Sequence, residues 1–187
     1  MLRRFIPSKP RTREPDWNAL YAEFLPRIHR FFCYRVSDGP TAEDLTSATF
    51  EKAWQARYRY RDDLAAFSTW LFTIARNLAT DHFRRQREQV PLDDLHDTSD
   101  EPSLDEAADR SADFATLLRL LRQLPDRERD IVALKFGGDY THRDIARLMG
   151  LSEGNIAVIA HRTVTHLRQQ WPTEFKSQQV VSTKAHE

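Results

Sequence analysis

Between residues 58 and 84 the chain gathers rings, cations and amides of the kind that contact unpaired nucleic acid. Tyr58, Arg59, Tyr60 and Arg61 alternate rings with guanidinium groups, and Trp70, Thr73, Asn77, Thr80 and Arg84 recur farther on at helical spacing, with Arg76 beside them. Stacking on an exposed base contributes about 1–3 kcal/mol, cations follow the phosphates, and an amide can hydrogen-bond a base edge. The helical face alone would also fit an ordinary solvated surface with one Trp folded into a neighbouring contact. The ring and cation run ahead of it is what points to DNA.

A second constellation lies between residues 141 and 167. Thr141 can cap a helix whose third residue is Asp144, with Ile145, Leu148 and Met149 on its inner face. Gly150 ends that helix, Leu151 fills the turn, and Ser152 caps the next. The buried stripe of this second helix is Ile156, Ala160, Thr163, Val164 and Leu167. Cap, turn and cap in this order predict a helix-turn-helix rather than a generic helical hairpin. The second helix of such a motif enters the major groove while caps and cations hold phosphates. Thr141, Ser152, Asn155, Val158, Ile159, Arg162 and His166 are therefore the expected contacts to duplex DNA.

Positioning these groups takes helices. A helix is expected from Phe67 to Arg87, with Leu71, Ile74, Ala75, Leu78, Ala79 and His82 as its buried stripe. The fold class is all-α: two small helical domains joined by a flexible acidic linker, the second containing the helix-turn-helix. The first lobe spans residues 16–88, the linker 89–110 and the second lobe 111–171, with a turn signal at Phe136-Gly137-Gly138-Asp139. Loose ends are expected over 1–15 and 172–187. From Gln89 to Asp113 there are nine acidic residues against Arg110 alone, a local charge of −8 that the rest of the chain balances. With Pro91, Pro102 and no apolar period, that stretch reads as solvated spacer.

Composition narrows the function classes. Of 187 residues, 40% are hydrophobic, enough for one or two modest cores, and only five are glycine, so helix is favoured over sheet. The single cysteine, Cys33, sits in the apolar run Phe31-Phe32-Cys33-Tyr34 and reads as a small buried thiol, with redox sensing the lesser reading. There is no Gly-rich phosphate loop, and the seven histidines never reach a metal-ligand spacing with cysteine or carboxylates. His161 and His166 read as surface residues. No catalytic residue, metal or cofactor is expected. No apolar run approaches the roughly 18 residues of a membrane span, and the basic start is broken by prolines, so the expectation is a cytoplasmic protein without membrane insertion.

Both lobes resemble one family, the extracytoplasmic-function sigma factors. The first is similar to the family's region two, through Ala42-Glu43-Asp44-Leu45-Thr46-Ser47-Ala48-Thr49-Phe50-Glu51-Lys52-Ala53-Trp54 and then Ala66-Phe67-Ser68-Thr69-Trp70-Leu71-Phe72-Thr73-Ile74-Ala75-Arg76-Asn77. The second resembles region four, through Leu124-Pro125-Asp126-Arg127-Glu128-Arg129, the hairpin Tyr140 to Leu151, and Ser152-Glu153-Gly154-Asn155 leading to His161-Arg162. The resemblance covers about residues 17 to 171. It implies a non-catalytic subunit whose partners are core RNA polymerase, promoter DNA both double-stranded and melted, and, as is usual in the family, an anti-sigma protein.

The same resemblance assigns Glu43, Asp44, Leu45, Thr49, Phe50 and Trp54 to the polymerase-binding surface, although periodicity by itself places Phe50 and Trp54 in the core. It implies that the first lobe melts the downstream element and the second holds the upstream one. The chain departs from the family in two places. Ala157, Val158 and Ile159 stand where Lys, Ser and Arg are common, and they can touch a thymine methyl but cannot make a bidentate guanine contact. The loop Asp62-Asp63-Leu64-Ala65 is one residue longer than the commonest version and lacks its glycine. A helix-turn-helix regulator that never binds polymerase is the competing reading.

Overall fold

The structure is a computed structural model that describes residues 16–61, 65–89 and 108–172. The first lobe comprises α1 (Trp17–Val36), α2 (Gly39–Gln55), a single 3-10 turn (Arg57–Arg59) and α3 (Phe67–Gln89). The second comprises α4 (Ala108–Arg122), α5 (Asp126–Val132), a π-helical turn (Ala133–Gly137), α6 (His142–Met149) and α7 (Glu153–Gln170). There is no strand among the described residues. The spacer expected over 89–110 is shortened at both ends, because α3 runs through Gln89 and α4 begins at Ala108. Its remainder, 90–107, lies outside the described residues, as do 1–15 and 173–187 of the expected loose ends.

Helix boundaries follow local signals. The Asp16 carboxylate accepts from the backbone N–H groups of Asn18 and Ala19, and that of Asp38 accepts from Thr41 N–H at 2.8 Å, satisfying donors the first turn cannot pair. Pro40 occupies the first turn of α2, where its fixed φ suits helix and its missing N–H is not needed. Thr141 and Ser152 cap α6 and α7 through Asp144 N–H and Asn155 N–H, each at 3.2 Å, and Gly150 ends α6 at a φ of 68°. The helix-turn-helix forms where the sequence places it.

The hydrophobic interior, however, does not respect the division into lobes. Phe24, Ile28, Phe31 and Phe32 of α1 and Leu71, Phe72, Ala75 and Ala79 of α3 share one cluster with Ile131, Leu134, Ile145, Ile156 and Ala160 of the second lobe. A smaller cluster of Leu120, Leu121, Leu124, Val132 and Leu167 sits under α4. Two bodies tethered only by a spacer would each close their own core. Here Phe72 meets Tyr140 at 4.8 Å between ring centroids, and the Gly137 turn lies against the α1 backbone. A Cβ on Gly137 would stand 2.7 Å from Phe31 Cα, so the missing side chain permits the approach.

Polar contacts follow the same seam. Arg27 donates to the Gly138 carbonyl from Nη2 at 2.6 Å and Nε at 3.1 Å, and Arg122 donates to the Ser37 carbonyl. Buried Arg35 pairs with Asp130 at 2.5 Å and Asp126 at 3.4 Å, while Arg87 also reaches Asp126 at 2.6 Å. Burial alone would raise the Asp126 carboxyl, but Arg35 and Arg87 outweigh it and hold the group below its ordinary value.

Candidate nucleic-acid interface

At the base of the α3 face, Phe67 is a hub. Its ring meets Trp17, Phe24, Tyr60 and Trp70 at centroid distances of 5.4 to 5.6 Å. Tyr60 packs on Trp70 at 5.1 Å, and its hydroxyl donates to the Ala65 carbonyl at 3.2 Å, drawing the two ends of the loop together. Residues 62–64 of that loop lie outside the described residues. Tyr60 and Trp70 are half-buried and braced by each other, whereas Tyr58 is 68% exposed. The two tyrosines that the sequence treats as equivalent thus differ: Tyr60 is scaffold, while Tyr58 leaves most of its surface open.

Beyond Trp70 the face is open, with Thr73, Asn77, Thr80 and Arg84 all exposed. The hydroxyls of Thr73 and Thr80 donate back to the Thr69 and Arg76 carbonyls at 2.7 and 2.9 Å, which leaves their oxygens able to accept. Asn77 borders a pocket of about 490 Å³ between the end of α2 and α3, lined by Lys52, Gln55, Ala56, Arg59 and Ile74 as well. Two cations, two amides and an apolar floor are the groups that an unpaired base and its phosphate would call for. Sequence reasoning missed Lys52 and Gln55. They fall three residues apart on the last turn of α2, a legible spacing, but only the meeting of two helices sets them beside Asn77.

Arg76, an expected DNA contact, is half-buried and turned to the second lobe. It donates to the Leu148 carbonyl at 3.2 Å and pairs with Asp130 at 3.4 Å, so its charge serves the seam between lobes. Arg84 pairs with Asp81 at 3.1 Å on an exposed face and remains reachable.

On α7, Asn155, Val158, Arg162 and His166 form an exposed line, while Ile159 is half-buried and packed on the core. Thr141 and Ser152 are exposed, but their side-chain oxygens are engaged as helix caps. The two helices of the motif are further tied by Arg143 to Glu153 at 3.3 Å, a contact the sequence reading did not anticipate.

On α2, Glu43 and Asp44 are exposed and Leu45 and Phe50 half-buried. Thr49 does not belong on an outward surface: it is fully buried, its hydroxyl donating to the Leu45 carbonyl at 2.7 Å. Trp54 corrects the periodicity reading in the other direction, being 50% exposed instead of core. The ring of Trp17, 5.5 Å away, and the Arg57 guanidinium cover part of it. Cys33 is half-buried rather than fully so, its Sγ 3.8 Å from the His29 ring, and burial pushes the thiol above its ordinary value. Among the described residues no helix is long and apolar enough to cross a membrane.

The chain matches the Sigma-70 region 2 family over residues 20–89 and the Sigma-70, region 4 family over residues 120–169. It is 35% identical over 164 residues to the ECF RNA polymerase sigma factor BldN of Streptomyces coelicolor, an alignment covering 84% of this chain but 61% of that longer protein. Identity to the ECF RNA polymerase sigma factor RpoE of Cereibacter sphaeroides is 30%, covering 83% of this chain and 86% of the relative. To the RNA polymerase sigma factor CarQ of Myxococcus xanthus it is 35%, covering 80% and 86%. The fold is similar to that of the sigma factor RpoE solved with the anti-sigma factor NepR from Bartonella quintana, with a TM-score of 0.70, 24% identity and coverage of 82% of this chain and 95% of that one. It is also similar to CnrH solved with the cytosolic domain of CnrY, with a TM-score of 0.57, 20% identity and coverage of 82% and 85%.

Proposed function

This chain belongs to the extracytoplasmic-function RNA polymerase sigma factors of the sigma-70 family, and from that premise we propose how its two lobes divide the work of initiation. It is an initiation factor that binds core RNA polymerase and directs promoter recognition and strand opening. The first lobe docks on polymerase through the exposed part of α2, Glu43, Asp44 and Trp54 with the edges of Leu45 and Phe50. The same lobe captures the melted downstream element with Tyr58, Arg59, Arg61, Trp70, Thr73, Asn77, Thr80 and Arg84. The second lobe lays α7 in the major groove of the upstream element.

The observation that carries this reading is the pocket between α2 and α3, where Lys52, Gln55, Arg59 and Asn77 converge on a space large enough for one base. Opening a duplex forfeits stacking worth roughly 1.4 kcal/mol per step, and a protein without ATP must replace it with contacts to the exposed strand. Tyr58 and the pocket supply such contacts. The chain performs no chemistry of its own, acts in the cytoplasm where polymerase resides, and has an anti-sigma protein as a further partner. A regulator that never binds polymerase is disfavoured, because regions 2 and 4 match in order along one chain.

Run-off transcription with purified core polymerase on a library of randomised upstream sequence tests the reading. Promoter-specific starts that depend on this chain are expected, and the enriched templates define its promoter. Binding to the library without any start, together with no affinity for core, would return the protein to the regulator class.

A further inference from the structure

We propose that Arg57 is a positioning residue for strand opening: clamped between the Trp54 and Tyr58 rings, it holds Tyr58 out as a ready-made stacking surface beside the α2–α3 pocket. The proposal rests on the reading of that pocket as the seat of an unpaired base. The guanidinium carbon of Arg57 lies 4.1 Å from the centroid of each ring. Its Nη1 donates to the Trp54 carbonyl at 2.8 Å and its Nη2 to the Tyr58 hydroxyl at 2.7 Å. Two rings and two hydrogen bonds hold this cation in place and occupy two of its five donors.

The clamp is anchored. Trp54 rests against the edge of Trp17 at 5.5 Å, and Trp17 against Phe67 at 5.6 Å, so a ladder of rings runs from the start of α3 out to Tyr58. In the 3-10 turn successive side chains diverge by about a third of a revolution. Arg59 accordingly lines the pocket while Tyr58 stands clear, 68% exposed. An exposed tyrosine on a loop would lose rotamer freedom on meeting a base, and a ring already fixed avoids most of that loss. A planar guanidinium can meet two rings and still donate to two acceptors, whereas an ammonium is a compact charge without a flat face to offer them.

A simpler role is also open to this side chain, since the Trp54 carbonyl is one of the orphan acceptors at the α2 C-terminus and a lysine could serve it as well. Arg57→Lys therefore separates the two. Full-length Arg57→Ala, Arg57→Lys, Tyr58→Ala and the double variant Arg57→Ala/Tyr58→Ala would be compared with core polymerase on a promoter selected as above, as duplex and with a pre-melted bubble. Core affinity and thermal melting would be measured alongside.

On duplex, Tyr58→Ala is expected to reduce open-complex formation about tenfold, the lower part of the range for one lost base stack. Both Arg57 variants should lose a comparable factor, and the double variant no more than Tyr58→Ala alone. The bubble should restore all of them, with core affinity and melting temperature unchanged. Wild-type opening by Arg57→Lys would overturn the proposal in favour of capping or bare charge, and an additive double variant in favour of a separate DNA contact. Equal loss on the bubble, or lost core affinity, would move Arg57 into the Trp54 surface. Normal opening by Tyr58→Ala would remove Tyr58 as a platform and this proposal with it, while the pocket reading stands or falls separately on Asn77→Ala.

Discussion

Arg35 on α1 reaches Asp130 on α5, Nε to Oδ1 at 2.5 Å, with 4% and 13% of the two side chains exposed. A carboxylate from the second lobe is thus the counter-charge of a guanidinium buried in the first. Without Asp130, Arg35 keeps only the longer 3.4 Å contact to the more exposed Asp126, and an under-compensated buried charge typically costs up to about 3–5 kcal/mol. Asp130→Ala is expected to lower unfolding free energy by that amount in urea titration. A loss within about 1 kcal/mol, the range of exposed pairs, would show that Asp126 or water compensates Arg35 instead.

Tyr140 makes a second marker of the seam. Burial pushes its phenol up from 10.0 to about 12. A raised folded value means that the neutral ring's contribution is complete below pH 10.0 and declines as pH climbs toward about 12. Wild-type stability should therefore fall through that window more steeply than that of Tyr140→Phe. Parallel declines of the two proteins would place the alkaline sensitivity elsewhere.

For strand opening, Trp70→Ala and Asn77→Ala are expected to cripple transcription from duplex promoters and to recover on a pre-melted bubble, with polymerase binding intact. Trp70 also braces Tyr60, so circular dichroism and thermal melting must first establish that α3 survives. The same defect on both templates would withdraw these residues from melting and assign them to the fold or the polymerase contact.

On α7, Asn155→Ala should relax preference at a single upstream base pair by roughly 1–3 kcal/mol, while Arg162→Ala should weaken binding to all sequences and flatten its salt dependence. Selection from randomised upstream DNA reads both. Identical base preferences for wild type and Asn155→Ala would exclude that residue from base reading.

The helix-turn-helix was legible because its signals are neighbours in sequence: Thr141 with Asp144, Gly150 at the positive φ, Ser152 with Asn155. The α3 stripe was legible only in part: Leu71, Ala75 and Ala79 are buried, but Ile74, Leu78 and His82 are half-buried, and fully buried Phe72 lies off the expected stripe because the second lobe covers that side. Arg35 and Asp130 were not legible, since they stand 95 residues apart and each alone reads as a surface charge. Thr49 and Trp54 show the limit from another side. Periodicity marks which residues of α2 share a face but not how much of that face a neighbour covers, so the small Thr49 is engulfed while the large Trp54 overhangs the edge of Trp17. The pocket beside Asn77 escaped because four of its six lining residues, Lys52, Gln55, Ala56 and Arg59, come from the end of α2 and the turn after it, about which the α3 pattern says nothing.

The core shared by the lobes also makes them thermodynamic correspondents. Suppose a ligand, whether polymerase or a stretch of promoter, engages one lobe only after the Phe72 to Tyr140 and Gly137 to Phe31 contacts part. It then binds weakly by whatever free energy those contacts hold, and once it has bound, that work is done. A second ligand for the other lobe meets a chain already separated and binds more tightly by the same factor, in either order. Two halves of a promoter could in this way be sensed jointly without any contact between them, the coupling residing in the Phe72 and Tyr140 rings and in the close approach that Gly137 permits.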